Sequence, residues 1–358
     1  MKIVLFYTYN QGYLSSFFHE LSVKLTQEGH EVICFSWKAS ESERVIDHVK
    51  VIVKIKKGYF TNYYNVYAII KKNKPDVIIS NFSYSNPALL FGKLLGVKKN
   101  ITWFHSLNEQ MNPSFKNIFI KKLFLKLADT VIANSFITKE QLNEVYKVPK
   151  HNLEVVPFWT NIIQQKEEVA QSRFCKDSNY LKIGCPGRLT ANKNQKIVIQ
   201  ALSKIEELHD CKFHLYFVGS GHNKYSLNKL VSDSKLLDKV SFIGMLSPEE
   251  MKNFYKNMDV IVLPSLHEAF GLVLIEALAL GIPVLVSSRF GALTFIDNNK
   301  ELLEKMTFNP ESVDSLADKL FPYFEGNNIH RSRFKKLYTD NFNKDKIYLK
   351  IKSILLKD

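Results

Sequence analysis

The run Pro264-Ser265-Leu266-His267-Glu268-Ala269-Phe270-Gly271 continues as Leu272-Val273-Leu274-Ile275-Glu276-Ala277-Leu278-Ala279 and closes on Gly281-Ile282-Pro283. It sets the carboxylates of Glu268 and Glu276 on either side of Gly271. The preceding stretch, Asp259-Val260-Ile261-Val262-Leu263, reads as a buried parallel strand. A helix is predicted from near Leu272 to Gly281, where glycine suits a left-handed cap. Glu268 then falls between the carboxyl end of a strand and the amino end of a helix, where open α/β sheets bind ligands. Taken singly, each carboxylate also has a plain reading. Glu268 could be a helix-start acid favoured by the dipole, and Glu276 a solvated helix residue.

The same alternation extends in both directions. Strands are predicted at Ile3–Tyr7, Glu31–Ser36, Val77–Ser80, Ile101–His105, Thr130–Asn134 and Leu153–Pro157, with an amphipathic helix over Ser15–Gln27. From Gln164 to Asn179 the chain turns polar and loses apolar period. The pattern restarts with strands at Leu181–Cys185, Phe213–Val218, Val240–Ile243, Asp259–Leu263 and Pro283–Val286, and a helix over Gln195–Glu207. Repeated βα units of this kind imply doubly wound parallel sheets. We therefore expect an α/β protein of two Rossmann-like domains facing a central cleft. The expected division is an amino-terminal domain over 1–163, a linker over 164–180, a second domain over 181–335 and a helical tail over 336–358 packing back on the first domain. Helical period in the tail breaks near Asn343.

Composition narrows the function classes. At 358 residues and 46% hydrophobic content the chain exceeds one ordinary domain. Cys34, Cys175, Cys185 and Cys211 form neither a Cys-x-x-Cys pair nor a cluster with histidine, so zinc and disulfide frameworks are not expected. A reducing cytoplasm fits. The amino terminus shows no secretory signature, and no apolar run is long enough to span a bilayer, so neither export nor membrane insertion is expected.

The net charge of +14 is unevenly spread: residues 1–160 hold 20 lysines and Arg44 against 12 acids, so the first half is the basic one. Lys54, Lys56 and Lys57 precede Tyr59, Phe60, Tyr63, Tyr64 and Tyr67, then Lys71, Lys72 and Lys74 follow. A second cluster runs from Phe115 to Leu127 with Lys116, Lys121, Lys122 and Lys126. Such spacing suits a helix on an anionic bilayer, or a core-packing helix with a solvated lysine face. Nucleic acid is not an expected partner, because there are only six arginines and no recognisable reading module.

Gly187-Arg188-Leu189 after a strand, Lys193-Asn194, Phe217-Val218-Gly219-Ser220-Gly221, Phe242-Ile243-Gly244 and the Glu268 to Glu276 block stand in an order that resembles glycosyltransferase family 4, the group 1, GT-B-fold, retaining sugar transferases. The resemblance is strong over about 181–290 and weaker before it. It implies a hexosyltransferase-type enzyme (EC 2.4) that moves a sugar from a nucleotide-sugar to a hydroxyl of a glycan acceptor. The acceptor expected is lipid-linked, within cell-surface polysaccharide biosynthesis. A peripheral place on the inner face of the cell membrane follows from that and from the basic, aromatic first domain. Two alternatives stand beside it: a non-catalytic nucleotide-sugar-binding subunit, and a soluble phosphorylase or disaccharide synthase of the same fold. A nicotinamide enzyme is disfavoured because no Gly-x-Gly-x-x-Gly follows any strand.

The residue chemistry agrees with that resemblance. A departing nucleotide diphosphate needs its charge stabilised, by a metal or by fixed cations and backbone N–H groups. The sequence has no Asp-x-Asp, so no metal or other cofactor is expected, and Arg188 with Lys193 are the candidate cations. Gly219 permits close backbone approach. Phe270, Gly271 and Leu272 would offer free N–H groups at a helix start to the sugar or β-phosphate. The resemblance assigns Glu276 to the ribose hydroxyls and Glu268 to the donor sugar near the reacting carbon. In the first domain it assigns Gly12, in the turn after the first strand, to the diphosphate and acceptor, and His105 to the donor sugar. Departures from the family pattern occur at Pro157-Phe158-Trp159-Thr160-Asn161, at Gly291-Ala292-Leu293-Thr294-Phe295 and around Met306-Thr307-Phe308.

Overall fold

Short runs of β-branched and aromatic residues, each followed by a polar turn, form the strands of two parallel sheets. The computed structural model describes residues 1–10, 12–164, 179–297, 299–327 and 329–357. Apart from Gln164, Asn179 and Tyr180, the linker expected over 164–180 lies outside the described residues, as does Gln11. The chain divides into two units: Met1–Trp159 together with Lys344–Asp358, and Thr160–Asn343.

The first unit carries β1 (Lys2–Phe6), β2 (Glu31–Lys38), β3 (Ser42–Ile46), β4 (Val49–Ile55), β5 (Val77–Asn81), β6 (Lys99–Phe104), β7 (Thr130–Ala133) and β8 (Leu153–Val155). Their order is β3-β4-β2-β1-β5-β6-β7-β8, parallel throughout except for β3 against β4. Val4, Phe6, Ile33, Phe35 and Ile78 point from the central strands into one buried layer under helices. The β3–β4 hairpin is absent from the pattern reading. It places Lys54 on a strand, paired with Glu41 at 3.0 Å, and not on a helix with the tyrosines that follow.

The last helix, Lys344–Leu356, belongs to this unit and buries Ile347, Tyr348, Ile351, Ile354 and Leu355. It is fastened to the helix Tyr13–Gln27. Lys24 lies 3.0 Å from Asp345 and over the Tyr348 ring at 4.9 Å, Lys352 meets Glu28 at 2.9 Å, and Lys344 pairs with Glu20. The returning segment starts at Lys344, later than the expected 336. The helix Arg331–Asn341 remains in the second unit, where Phe342 after it packs on Phe270 with ring centroids 6.1 Å apart.

The second unit carries β9 (Leu181–Pro186), β10 (Phe213–Val218), β11 (Val240–Gly244), β12 (Val260–Leu263), β13 (Val284–Ser287) and β14 (Thr307–Phe308). The order β11-β10-β9-β12-β13-β14 is wholly parallel. Counted within the unit it is 3-2-1-4-5-6, the dinucleotide-fold order. Ile183, Cys185, Leu215, Phe217, Val260 and Val262 form the sheet side of its core.

Candidate functional site

Ligands of doubly wound sheets bind outside the carboxyl ends of the strands where the strand order reverses. In the second unit that point lies between β9 and β12, and the turns leaving those two strands hold most of the candidate residues. Lys193, in the turn after β9, forms an ion pair with Glu268, in the turn after β12. The two side chains are only 19% and 14% exposed, so the pair sits in a partly dry recess where charges act strongly on a third group.

Backbone bonds fix these turns. Leu266 N–H donates to the Asn192 carbonyl at 2.8 Å, and the Asn192 amide donates to the His267 carbonyl at 2.9 Å. On the other side of Glu268, Gly291 N–H donates to its carbonyl at 2.9 Å, and Ala292 N–H to that of Phe270 at 2.9 Å. The Gly291–Phe295 turn, which departs from the family pattern, therefore braces the Glu268 loop.

Gly271 caps the helix Leu272–Ala279 with φ 101°, and a Cβ there would lie 2.3 Å from the Phe290 ring. Only glycine fits. The first bond of this element is from Leu274 N–H to the Gly271 carbonyl at 3.0 Å, so the Gly271 and Leu272 amides have no partner within the helix. Gly281 at φ 68° ends the helix in a Schellman arrangement, with Ile282 N–H donating to the Ala277 carbonyl at 2.9 Å.

Arg188 is exposed, and its guanidinium has no partner among the described residues. Its backbone is held by the neighbouring turn: Leu189 N–H donates to Ser220 at 2.9 Å, and the Gln195 amide donates to the Arg188 carbonyl at 2.9 Å. Gly219, at φ 132°, lies so close that a Cβ would stand 2.2 Å from the Gly187 oxygen. The close approach that Gly219 allows is thus made to the turn bearing Arg188.

Glu276, the residue expected at the ribose, lies on the helix Leu272–Ala279. It is 0% exposed, because Leu274 through Ala279 are buried all round this short helix. One carboxyl oxygen accepts from the Tyr255 hydroxyl at 2.8 Å, and the other has no partner among the described residues. Burial pushes the carboxyl up to about 8, against a smaller opposing effect of the Tyr255 hydrogen bond, so the acid is mostly neutral at pH 7.

In the first unit the order reverses between β1 and β5. Gly12 caps the helix Tyr13–Gln27 after β1, exposed and without a side-chain cap, its N–H donating to Asn10 at 2.8 Å. His105 follows β6. Its Nε2 lies 2.6 Å from the Asn81 side-chain oxygen, whose orientation is set by the Asn81 amide donating to the Phe6 carbonyl at 3.0 Å. Nε2 must then carry the proton and donate, leaving Nδ1 as an unpartnered acceptor among the described residues. The ring packs against Phe82 at 4.6 Å and Phe158 at 5.6 Å. Burial, aided by the nearby Lys121 ammonium, lowers its pKa to about 3, so His105 is a neutral imidazole. Asn81, which sets the tautomer of His105, and Tyr255, which donates to Glu276, were not singled out from the sequence; a polar residue ending a buried strand was the available signal for Asn81.

Gly12 and His105 thus lie in the first unit; Arg188, Lys193, Gly219, Glu268, Phe270, Gly271, Leu272 and Glu276 lie in the second. Among the described residues no group of three or more His, Cys, Asp or Glu side chains is placed to hold a metal ion.

Comparison with known proteins agrees with this architecture. An uncharacterized glycosyltransferase of Methanocaldococcus jannaschii is 30% identical over 230 residues, covering 61% of this chain and 58% of that protein. The chain therefore spans a little over half the length of that relative. The alpha-monoglucosyldiacylglycerol synthase of Streptococcus pneumoniae is 24% identical over 91% of this chain and 83% of its own. Anabaena HepE, solved with UDP and glucose, superposes with a TM-score of 0.76 at 18% identity over 99% of each chain, a likeness of fold. The family model of glycosyltransferase family 4 matches residues 14–161, and that of glycosyl transferases group 1 matches residues 166–337. With both sheets and both matches in register with its two halves, the chain belongs to the group 1 glycosyltransferases of family 4, with the GT-B fold.

Proposed function

We propose that the protein transfers a sugar, with retention of anomeric configuration, from a nucleotide diphosphate-sugar to a hydroxyl of a lipid-linked glycan. The observation that carries this reading is the Lys193–Glu268 pair at the reversal point of the second sheet, beside the open helix start at Gly271–Leu272. Arg188 and Lys193 would hold the diphosphate, and the amides of Phe270, Gly271 and Leu272 would face the sugar or β-phosphate. No resident metal enters this scheme. HepE, by its description, was solved with UDP and glucose, which makes UDP-sugars the first donors to try.

In the reaction the bond from the anomeric carbon to the leaving phosphate oxygen breaks as that carbon bonds the acceptor oxygen on the same face. The acceptor's proton passes to the leaving phosphate. Lys193 and Arg188 stabilise the charge that builds there, and Glu268 positions the donor without forming a covalent bond, unlike a retaining glycosidase carboxylate. Nδ1 of neutral His105 can accept from a donor-sugar hydroxyl. Glu276 is assigned no direct contact; it positions the helix Leu272–Ala279.

The lipid-linked acceptor and membrane setting rest on the first unit. On the helix Phe115–Leu125 only Leu125 is buried, while Phe115 is 93% and Phe119 61% exposed. The helix Tyr59–Asn73 likewise exposes Phe60 and Tyr64. Aromatic residues standing in water beside Lys116, Lys122 and Lys126 favour docking on an anionic bilayer over the core-packing alternative. No helix of the described residues is long and apolar enough to cross a membrane. The test of the central proposal is the anomeric configuration of the product by NMR after incubation with UDP-sugars: an axial donor giving an equatorial linkage overturns it.

A further inference from the structure

The first unit contains a recess of about 650 Å³ that none of the proposed donor contacts uses. Its walls come from the ends of β2, β4, β5 and β6 and from the two helices with exposed aromatics. Trp37, Phe82 and Phe104 give it flat apolar faces, and Lys56 and Lys121 give it charge. No carboxylate lines it among the described residues.

Three features mark it as a prepared site. Phe82 is held at φ 51°, a left-handed conformation costly for a bulky residue, with its ring on His105 at 4.6 Å. Trp37 is 7% exposed, and its indole N–H has no partner among the described residues. Lys121 has only a 3.3 Å bond to the Asn86 side-chain Oδ1 and the Phe104 ring at 5.8 Å, with no counter-ion among the described residues. Desolvation lowers its pKa to about 8. A recess with an ammonium that has no counter-ion among the described residues, beside flat rings, matches a sugar ring that carries a negative charge. Sugars stack their C–H faces on aromatic rings, and an anion restores the charge balance that burial of Lys121 removes.

We propose that this recess binds the acceptor through a sugar bearing an anionic group, carboxylate or phosphate, whose charge is met by Lys121 and Lys56. The acceptor role rests on the transferase reading above; the binding chemistry does not. The anion could belong to an acidic sugar or to the phosphate of a lipid carrier, and the two sources are separable.

Binding to the full chain is measured by calorimetry, first of UDP alone and then, with UDP saturating, of glucuronate, glucose 1-phosphate and glucose. The expected result is that both acids bind at least tenfold more tightly than glucose. Lys121→Met should remove most of that preference, with the UDP affinity unchanged. Lys56→Gln, at an exposed position, should reduce it several-fold and guards against a misfolded Lys121 variant. Glucuronate favoured over glucose 1-phosphate assigns the anion to an acidic sugar; the reverse, with retention on vesicles containing polyprenyl phosphate that Lys121→Met abolishes, assigns it to the carrier. Equal binding of glucose and the acids, or acid binding indifferent to Lys121→Met, overturns the inference. Failure of UDP to bind would instead strike the donor reading, and the acids are then measured without it.

Discussion

Lys193 and Glu268 come from turns after different strands, 75 positions apart in the chain, and meet as a partly buried ion pair where the second sheet reverses its order. Each neutralises the other until a diphosphate competes for the ammonium. Lys193→Met should weaken UDP binding by roughly 10–100-fold, the cost of one charge-assisted contact. Glu268→Gln should lower kcat by on the order of 100-fold or more with donor KM changed little. Steady-state kinetics on both variants decides the matter; a Glu268→Gln effect confined to KM would exchange the two roles.

Glu276 makes stability depend on pH. Its folded pKa, about 8, is above the ordinary 4.5, so the native state keeps a proton that the unfolded chain gives up. Stability from this group is therefore complete below about pH 4.5 and declines as pH rises towards 8, by roughly 5 kcal/mol in all. Glu276→Gln should flatten that slope in urea titrations between pH 5 and 8 and leave UDP affinity within about threefold. A tenfold loss of UDP affinity in the folded variant would restore the ribose role.

Neutral His105 predicts an absence in the rate profile. With a pKa near 3, kcat/KM should show no imidazole titration between pH 5 and 8. His105→Phe keeps the ring stack and removes Nδ1, and should reduce turnover about tenfold. A limb near pH 6.5 that vanishes in His105→Phe would contradict the neutral state.

Gly219→Ala tests the contact between neighbouring turns. A methyl 2.2 Å from the Gly187 oxygen, at φ 132°, cannot be accommodated without moving the turn that carries Arg188. A loss of about 2–4 kcal/mol is expected, with weaker UDP binding; an unchanged melting temperature would mean the two turns are not locked.

The aromatic helix predicts a membrane phenotype. Replacing both Phe115 and Phe119 by Ser should abolish flotation with phosphatidylglycerol vesicles while leaving transfer to a soluble acceptor intact. Wild-type protein that floats with neither anionic nor neutral vesicles would end the membrane proposal.

The parallel strands were legible because they are buried on both faces and so read as continuous apolar runs. The β3–β4 hairpin was not: its two-residue turn, Asp47-His48, adopts φ 48° and 64° without the glycine that usually announces it, and β4 interleaves lysines with valines. Site residues set by local backbone, such as Gly271 and Gly281, could be read directly. The burial of Glu276 could not, because it depends on the packing of the whole helix Leu272–Ala279, and its Tyr255 partner comes from another helix. Lys121 appeared as one lysine in a basic cluster; only the fold turns it inward, beside Asn86.

The return of Lys344–Leu356 to the first unit has a practical result for anyone dissecting the protein. The first unit is not a continuous stretch, unlike the second: a fragment stopped at Trp159 exposes the apolar patch that Ile347, Ile351 and Leu355 cover. Supplying residues 344–357 as a separate peptide, or fusing them ahead of Met1 through a flexible linker, should rescue the solubility of that fragment.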